Sequence, residues 1–221
     1  MKCIITAGPT YEPLDEVRRL TNFSTGRLGS ELATFLSGQG HEVILLIGQQ
    51  ATWRGERKAK VVETFGTTAD LKARLLKHAS NEVGAVFHAA AVSDFGFGTI
   101  WHRTKQGTLE AVKAGKVPTN LEGLLAELVA TPKIIGELRR SFPGAWLIGW
   151  KYEMDGGQTD VINKAIQQIS ANGTDACVAN GRAYGDGFGL VQAGREPSHY
   201  PTMQSLFEGL AALMQQQRKA P

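Results

Sequence analysis

The chain has 221 residues, of which 42% are hydrophobic and 20% charged, and this composition can bury a large core and excludes disorder, coiled coil and collagen. Its 24 basic and 21 acidic residues leave a net charge of +3, and no dense basic run is interleaved with aromatic residues, so we expect no binding to nucleic acid. The longest aliphatic run, residues 43–47, is far shorter than the roughly 20 residues that cross a bilayer, and the N-terminus lacks a secretory apolar stretch, so we expect a cytoplasmic location without membrane contact.

Short apolar runs alternate with helical patterns along the chain. The runs predict six buried β-strands, at residues 3–6, 43–47, 61–65, 85–90, 146–152 and 176–179. Between and after them, apolar residues spaced three or four apart predict five helices. These helices are centred on Leu32, Leu75, Leu138, Ala165 and Leu210. We expect Pro132 at the first position of the third helix and Gly173 at the end of the fourth.

This alternation predicts an α/β fold in which a Rossmann-like, mostly parallel sheet carries helices on both faces. We expect a single domain over residues 1–221, because no linker or internal repeat divides the chain. Segment 95–120 does not follow the alternation of strands and helices. It is rich in glycine and basic residues, which predicts a flap or a hairpin used for assembly. Cys3 and Cys177 lie in apolar strands, so we predict buried thiols and assign no metal ligand.

Ligands of such sheets bind beyond the carboxyl ends of the strands, so the residues after each strand are the first candidates. The first strand runs into T-A-G-P-T at residues 6–10, and the second ends in G-Q-Q at residues 48–50. A dinucleotide-binding fold would have G-x-G-x-x-G at the first of these places and an acidic residue at the second. Because both are missing, an NAD(P)-dependent reductase is a disfavoured alternative.

The sequence S-T-G-R-L-G at residues 24–29 opens the first helix. Gly26 and Gly29 would let backbone amides approach a phosphate closely, and the helix dipole adds partial positive charge. The alternative is that Ser24 and Thr25 only cap the helix and that the glycines only turn the chain. The spacing alone leaves both interpretations open.

The later strand ends add further candidates. After the fourth strand, the alanines 89–91 leave room for a ligand against the backbone, and Asp94 stands at the rim, where it could also be a turn residue. Trp150, at the end of the fifth strand, could stack on a base or belong to the core. Asn180 follows the sixth strand.

Taken together, these strand-end motifs resemble the phosphopantothenate–cysteine ligase family of coenzyme A biosynthesis. The matching residues are 5–10, 12–15, 17–18, 22–27, 29, 89–94 and 179–180. The resemblance spans essentially the whole chain. It implies a stand-alone ligase, without the flavin-dependent decarboxylase domain to which many bacterial ligases are fused, so no flavin is expected.

The resemblance implies an amide-forming reaction in two steps. With Mg²⁺ present, the carboxylate of phosphopantothenate attacks the α-phosphate of CTP or ATP, which gives an acyl-nucleotidylate and pyrophosphate. The amine of cysteine then displaces the nucleotide. The choice between CTP and ATP stays open, because the sequence shares features with both the bacterial CTP-using and the eukaryotic-type ligases. Family members commonly pair, so the resemblance also implies a homodimer.

Site residues carry over from the family motifs. Asn22 would hold the substrate and the acyl intermediate, and Lys116 would close over the triphosphate. Ala90, Ala91 and Asp94 would line the phosphopantothenate side. The residues implied for the nucleotide are Gly8, Ser24, Gly26, Gly29, Trp150 and Asn180. The family's lysine-rich loop is reduced here to K-V-P at residues 116–118, which leaves a non-catalytic nucleotide-binding paralogue as the alternative.

Overall fold

A computed structural model describes residues 1–112, 115–118, 121 and 123–217 of the chain. The strands are β1 (Lys2–Ala7), β2 (Tyr11–Pro13), β3 (Arg19–Thr21), β4 (Glu42–Gly48), β5 (Val61–Phe65), β6 (Val83–His88), β7 (Phe95–Arg103), β8 (Leu109–Ala111), β9 (Leu124–Ala130), β10 (Trp146–Tyr152), β11 (Ala176–Asn180), β12 (Phe188–Gln192) and β13 (Ser198–Tyr200). The helices are α1 (Arg27–Gly38), α2 (Thr68–Lys77), α3 (Leu138–Ser141), α4 (Gln158–Asn172) and α5 (Met203–Gln217).

Eight strands form one sheet in the order β13-β12-β11-β10-β6-β1-β4-β5. The six strands from β11 to β5 are parallel, and β12 and β13 extend the sheet by antiparallel pairing, β12 with β11 and β13 with β12. In β1, Ile5 lies opposite Leu45 of β4 on one side and Phe87 of β6 on the other. From β1 the chain adds β4 and then β5 on one side, and it adds β6, β10 and β11 on the other side. The strand order thus reverses between β1 and β6, and the Rossmann-like prediction is confirmed. The crevice at such a reversal is where open α/β sheets bind ligands.

Helices cover both faces of this sheet, as the alternation predicts. On one face, α1 and α5 bury Leu32 and Leu210 against the central strands. On the other face, α2 and α3 bury Leu75 and Leu138, while α4 packs on β10 and β11. Across the described part of the chain, no helix has the length and apolarity that crossing a bilayer requires.

Both cysteines are buried inside these layers, as predicted. The sulfurs of Cys3 and Cys177 are not joined in a disulfide, and both residues lack any solvent exposure. Burial raises the pKa of the Cys177 thiol to about 12, so this sulfur stays protonated at neutral pH and is a poor nucleophile.

Two predicted boundaries differ from the structure, and two strands of the large sheet are missing from the prediction. The fourth strand, β6, ends at His88 and not at residue 90. Pro132 does not begin a helix, because Lys133 is still extended, and Ile134–Glu137 form a 3₁₀ turn before the single turn of α3. The antiparallel strands β12 and β13 are not predicted, because they are short and follow a glycine-rich stretch without regular alternation.

Segment 95–120 contributes to a second, smaller sheet. Strands β7, β8 and β9 are antiparallel in the order β8-β7-β9, so this sheet continues past residue 120 to Ala130. We call it the flap sheet. The register shifts between Phe97 and Ile100, where Gly98 lies. All residues of β9 are exposed, although four of the seven are leucine or valine. A separate hairpin pairs β2 with β3.

Candidate active site

The loops that follow β1 and β6 form the floor of the crevice. Pro9 and Ala91 make one further parallel bridge beyond the ends of these strands. The amide of Ala91 donates to the carbonyl of Gly8 at 3.0 Å, and the amide of Thr10 donates to the carbonyl of Ala91 at 3.1 Å. The motif after the first strand and the alanines after the fourth are therefore held side by side, as their positions in the sequence predict.

Three of the predicted glycines allow α1 to lie directly on the end of β1. Gly8 and Gly26 both have φ +76°, in the left-handed region that favours glycine. A Cβ on Gly26 would lie 2.9 Å from the Cβ of Ala51 and 3.3 Å from the Cα of Gly8. A Cβ on Gly29 would lie 2.6 Å from the Cβ of Ala7. The N-terminus of α1 can thus reach the crevice only because these positions lack side chains.

The first turn of α1 has backbone donors that are open to a ligand. The N-cap residue is Gly26, which supplies no side-chain cap, and the first turn holds no acidic residue. Thr25 Oγ1 accepts the amide of Arg27 at 3.3 Å. In the described part of the chain, the amides of Leu28 and Gly29 have no acceptor. The Thr25 hydroxyl therefore accounts for one donor, and the amides of Leu28 and Gly29 remain available to an anion.

Asn22 lies beside this helix terminus and contacts the alanine loop. Its Nδ2 donates to the carbonyl of Ala91 at 3.1 Å across 69 residues of sequence. The neighbouring Phe23 is fully exposed, and Ser24 is half-buried. Because Gly8 is hydrogen-bonded to Ala91 and lies against Gly26, the N-cap of α1, Asn22 and Ala91 meet the start of α1 at one place in the crevice.

A buried layer of hydroxyl groups and one histidine supports the alanine loop. Thr6 Oγ1 accepts the amide of Ala90 at 3.1 Å and lies 2.9 Å from His88 Nδ1. Burial lowers the pKa of His88 to about 4, so the ring is neutral at pH 7 and shares a hydrogen bond with the threonine hydroxyl through Nδ1. Thr10 Oγ1 accepts the amide of Ser93 at 2.8 Å. We did not predict these threonines as site residues, because hydroxyl residues near strand ends carry no distinctive pattern.

Asp94 is an exposed residue that follows the alanine loop of the crevice. Its carbonyl accepts the amide of Thr131 at 3.0 Å. The backbone beside it is fixed by Ser93, whose hydroxyl donates to the carbonyl of Phe95 at 2.9 Å. The carboxylate of Asp94 is therefore free to face solvent or a ligand from a fixed backbone.

Trp150 and Asn180 lie at the ends of the adjacent strands β10 and β11. Each carries a buried polar atom without a partner in the described residues, Nε1 in Trp150 and Oδ1 in Asn180. Buried polar atoms are nearly always hydrogen-bonded, so such atoms mark a place for a water or a ligand. Beside them Glu153 lies 2.6 Å from Lys164 and 3.1 Å from Lys151, and the hydrogen bond from Lys164 is the main cause that lowers the pKa of Glu153.

Lys116 lies in the short described segment 115–118 and is exposed. The backbone on both sides of it contacts the tip of the β2–β3 hairpin, through Glu16 and Asp15. The structure records no ion pair for the Lys116 side chain among the described residues. Its neighbours Lys113 and Asn120 lie outside the described residues.

The arrangement suits a polyanionic ligand more than a protein-bound metal. The crevice offers free amides, a carboxamide and the positive end of a helix dipole. No group of three or more His, Cys, Asp or Glu that could hold a metal ion occurs among the described residues.

Comparison with known proteins agrees with this architecture. Residues 1–194 match the family described as DNA/pantothenate metabolism flavoprotein C-terminal domain. The coenzyme A biosynthesis bifunctional protein CoaBC of Thermococcus kodakarensis is 32% identical over 179 residues, which are 81% of this chain and 41% of that protein. The chain thus spans about two fifths of the length of such relatives.

Solved structures share the fold. The DNA/pantothenate metabolism flavoprotein from Streptococcus pneumoniae has a TM-score of 0.84 at 24% identity, and the match covers 98% of this chain and 99% of that one. A Cab2 variant in complex with phosphopantothenate-cysteine has a TM-score of 0.72 at 16% identity, covering 98% of this chain and 87% of that one.

Proposed function

Since the chain belongs to the DNA/pantothenate metabolism flavoprotein C-terminal domain family, we propose that it joins 4′-phosphopantothenate to L-cysteine at the expense of CTP or ATP. Relatives at 31–32% identity carry the name coenzyme A biosynthesis bifunctional protein, and a protein of the same fold binds phosphopantothenate-cysteine. The observation that carries the proposal is the meeting of Asn22, the Ala91 carbonyl and the open first turn of α1.

In the first step, a carboxylate oxygen of phosphopantothenate attacks the α-phosphorus, and pyrophosphate leaves with the electrons of the broken P–O bond. Negative charge grows on the phosphate oxygens during this transfer. The free amides of Leu28 and Gly29 and the dipole of α1 would stabilise that charge. Mg²⁺ would enter as part of the nucleotide substrate and neutralise the triphosphate.

In the second step, the cysteine amine attacks the acyl carbon, the C–N bond forms, and the nucleoside monophosphate leaves. The amine loses a proton to solvent or to the leaving phosphate. Asn22 supports this step because its Nδ2 is already held by the Ala91 carbonyl, which leaves Oδ1 available to the attacking amine. Trp150 Nε1 and Asn180 Oδ1, the two buried atoms without a partner in the described residues, are suitable hydrogen-bond partners for the base or ribose of the nucleotide.

The test is a pyrophosphate-release assay with CTP or ATP, with and without phosphopantothenate and cysteine. We expect release to need phosphopantothenate and one of the nucleotides, and the amide product to need cysteine as well. Nucleotide binding in calorimetry without turnover would instead identify the non-catalytic paralogue. NADPH binding without any effect of CTP or ATP would favour the reductase.

The variant Asn22→Asp tests the role of the carboxamide. A carboxylate cannot donate to the Ala91 carbonyl and repels it, so we expect pyrophosphate release to continue while cysteine capture falls by about 100-fold or more. The matched control is Asn163→Asp, an exposed position on α4. Product formation at the normal rate by Asn22→Asp would contradict this role.

We also propose that the active species is a homodimer formed through the flap sheet. Register places Phe97 opposite Leu128, and Phe95 opposite Ala130, on one face. Leu128 is 53% exposed, Phe95 48% and Leu124 43%. A contiguous apolar face of this kind is rare on monomers and marks an interaction surface, and a second copy of the chain offers the same face for a two-fold contact.

A further inference from the structure

The tip of the β2–β3 hairpin contains Asp15, and each of its carboxylate oxygens accepts at least two hydrogen bonds. Asp15 Oδ1 accepts the amides of Val17 at 3.0 Å and Arg18 at 2.8 Å, which shapes the turn. Asp15 Oδ2 accepts Arg18 Nε at 3.0 Å and the amide of Val117 at 3.0 Å. The side chain of Asp15 is only 1% exposed, and the hydrogen bond from Arg18 is the main cause that holds its pKa well below the usual range.

The hydrogen bond between the Val117 amide and Asp15 Oδ2 is not part of the turn, because it joins residues that lie 102 positions apart. Arg18 Nη2 completes that contact by donating to the carbonyl of Val117 at 2.7 Å. Both polar groups of the Val117 backbone are thus held by one ion pair. The amide of Glu16 also donates to the carbonyl of Gly115 at 2.9 Å.

These contacts fix the residues on both sides of Lys116 and leave its side chain exposed. Val117 is 2% exposed, and a Cβ on Gly115 would meet the Glu16 carboxylate at 2.7 Å, so the Glu16 side chain lies directly against Gly115. The lysine therefore projects from a backbone that is fixed at three hydrogen bonds to the hairpin tip.

The same hairpin leads directly to Asn22. Strand β3 ends at Thr21, whose hydroxyl donates to the carbonyl of Thr10 at 2.9 Å. On the other strand, Glu12 Oε1 accepts the amide of Thr68 at 2.9 Å. The base of the hairpin is thus fixed to the floor of the crevice, and its tip is fixed to the segment that carries Lys116.

We propose that Asp15 and Arg18 are positioning residues, which hold the 115–118 segment so that Lys116 and Asn22 keep a fixed relation across one hairpin. The catalytic part of this inference rests on the proposed ligase function. The docking of the segment does not, so the two can be tested separately.

The docking is tested by trypsin, which cleaves after lysine. Asp15→Asn keeps Oδ1 for the turn but places an NH₂ group against the Val117 amide and the Arg18 guanidinium. Losing these charged hydrogen bonds should speed cleavage between Lys116 and Val117 by about ten-fold or more. Cleavage after Lys105, which lies in an exposed turn of the flap sheet, is the internal reference and should not change.

Asp175→Asn is the matched control variant. Asp175 Oδ2 accepts Arg139 Nη2 at 2.6 Å and the amide of Leu147 at 2.7 Å, which is the same combination of partners at a place remote from the hairpin. This variant should leave the Lys116 cleavage rate as in the parent protein. Equal rates in the parent and Asp15→Asn would overturn the docking, as would an equal increase in Asp175→Asn.

Activity measurements then separate positioning from a general structural effect. In Asp15→Asn we expect kcat for pyrophosphate release to fall about ten-fold while the KM for cysteine is unchanged. Arg18→Lys keeps the charge but cannot make the bidentate contact. Its kcat and its cleavage rate should therefore lie between those of the parent protein and of Asp15→Asn. Faster cleavage with unchanged pyrophosphate release would overturn the positioning role. If the parent protein releases no pyrophosphate, the ligase proposal fails, and the cleavage rates still decide the docking.

Discussion

Gly29 is the residue at which α1 packs directly on the end of β1. This close packing predicts that any side chain at this position lowers the stability of the fold. In Gly29→Ala the new Cβ would overlap Ala7 and approach the Thr6 carbonyl at 3.2 Å, so α1 must move outward. We expect the free energy of unfolding in urea to fall by about 1–3 kcal/mol and nucleotide binding in calorimetry to weaken. Gly38→Ala, in the same helix, meets nothing within 4 Å and should leave stability unchanged or raise it by up to about 1 kcal/mol. Equal effects of the two substitutions would contradict the close-contact explanation.

His88 makes stability depend on pH in a predictable direction. Its pKa is about 4 in the folded chain against an ordinary 6.5, so between these values the unfolded chain binds the proton and the folded chain does not. Stability therefore falls as the pH drops through this window, by about 2 kcal/mol between pH 7 and pH 5. Urea unfolding at both pH values should show this loss in the parent protein and a smaller loss in His88→Gln, whose amide can either donate to or accept from the Thr6 hydroxyl. Identical pH dependence in both proteins would show that His88 is not the group responsible.

Single residues of the candidate site differ in how easily the sequence reveals them, and the difference has a physical reason. The glycines stand out because φ +76° and close backbone approach exclude other residues, and such demands are visible in a single chain. Asp15 and Thr10 do not stand out, since aspartate and threonine are common in any turn. Their roles depend on partners 102 and 83 positions away, which no local pattern encodes.

At the scale of elements, α2 shows how a local signal fixes the start of a helix. Thr67 Oγ1 accepts the amide of Asp70 at 3.2 Å, and Asp70 Oδ2 accepts the amide of Gly66 at 2.8 Å. Thr67→Ala should therefore lower the free energy of unfolding by about 1 kcal/mol, whereas Thr67→Ser, which keeps the hydroxyl, should retain most of it. Thermal or urea unfolding of the pair checks this, and a loss in Thr67→Ser as large as in Thr67→Ala would exclude capping as the cause.

The elements that are predicted well are those whose stability is mostly local or repeated. The inner parallel strands β1, β4 and β6 are mostly apolar runs because helices bury both their faces, and Gly173 ends α4 in the left-handed conformation, with φ 62°. By contrast, β12 forms because it can pair with the edge of β11, and the flap sheet extends to Ala130 because β9 pairs with β7. Pairing partners decide these elements, and a partner distant in sequence leaves no periodic signal.

For the molecule as a whole, the exposed apolar face of the flap sheet predicts its state of assembly. We expect a mass in solution of twice the 23.9 kDa of one chain. Leu128→Glu should give a monomer, because burying an unpaired carboxylate in the contact costs several kcal/mol. Leu76→Glu is the control, since Leu76 is similarly exposed, at 47%, but lies on α2. Light scattering after size-exclusion chromatography distinguishes these results, and an unchanged mass for Leu128→Glu would exclude this face as the contact.

The far edge of the large sheet limits how copies can add to one another. Strand β13 has only three residues and is followed directly by Pro201, which has no amide hydrogen to donate. A foreign strand approaching there would find few free backbone groups, a common protection against uncontrolled growth into fibres. A pair formed through the flap sheet would therefore not be extended at this edge of the large sheet, and mutations that lengthen β13 or replace Pro201 would make the edge more prone to aggregation.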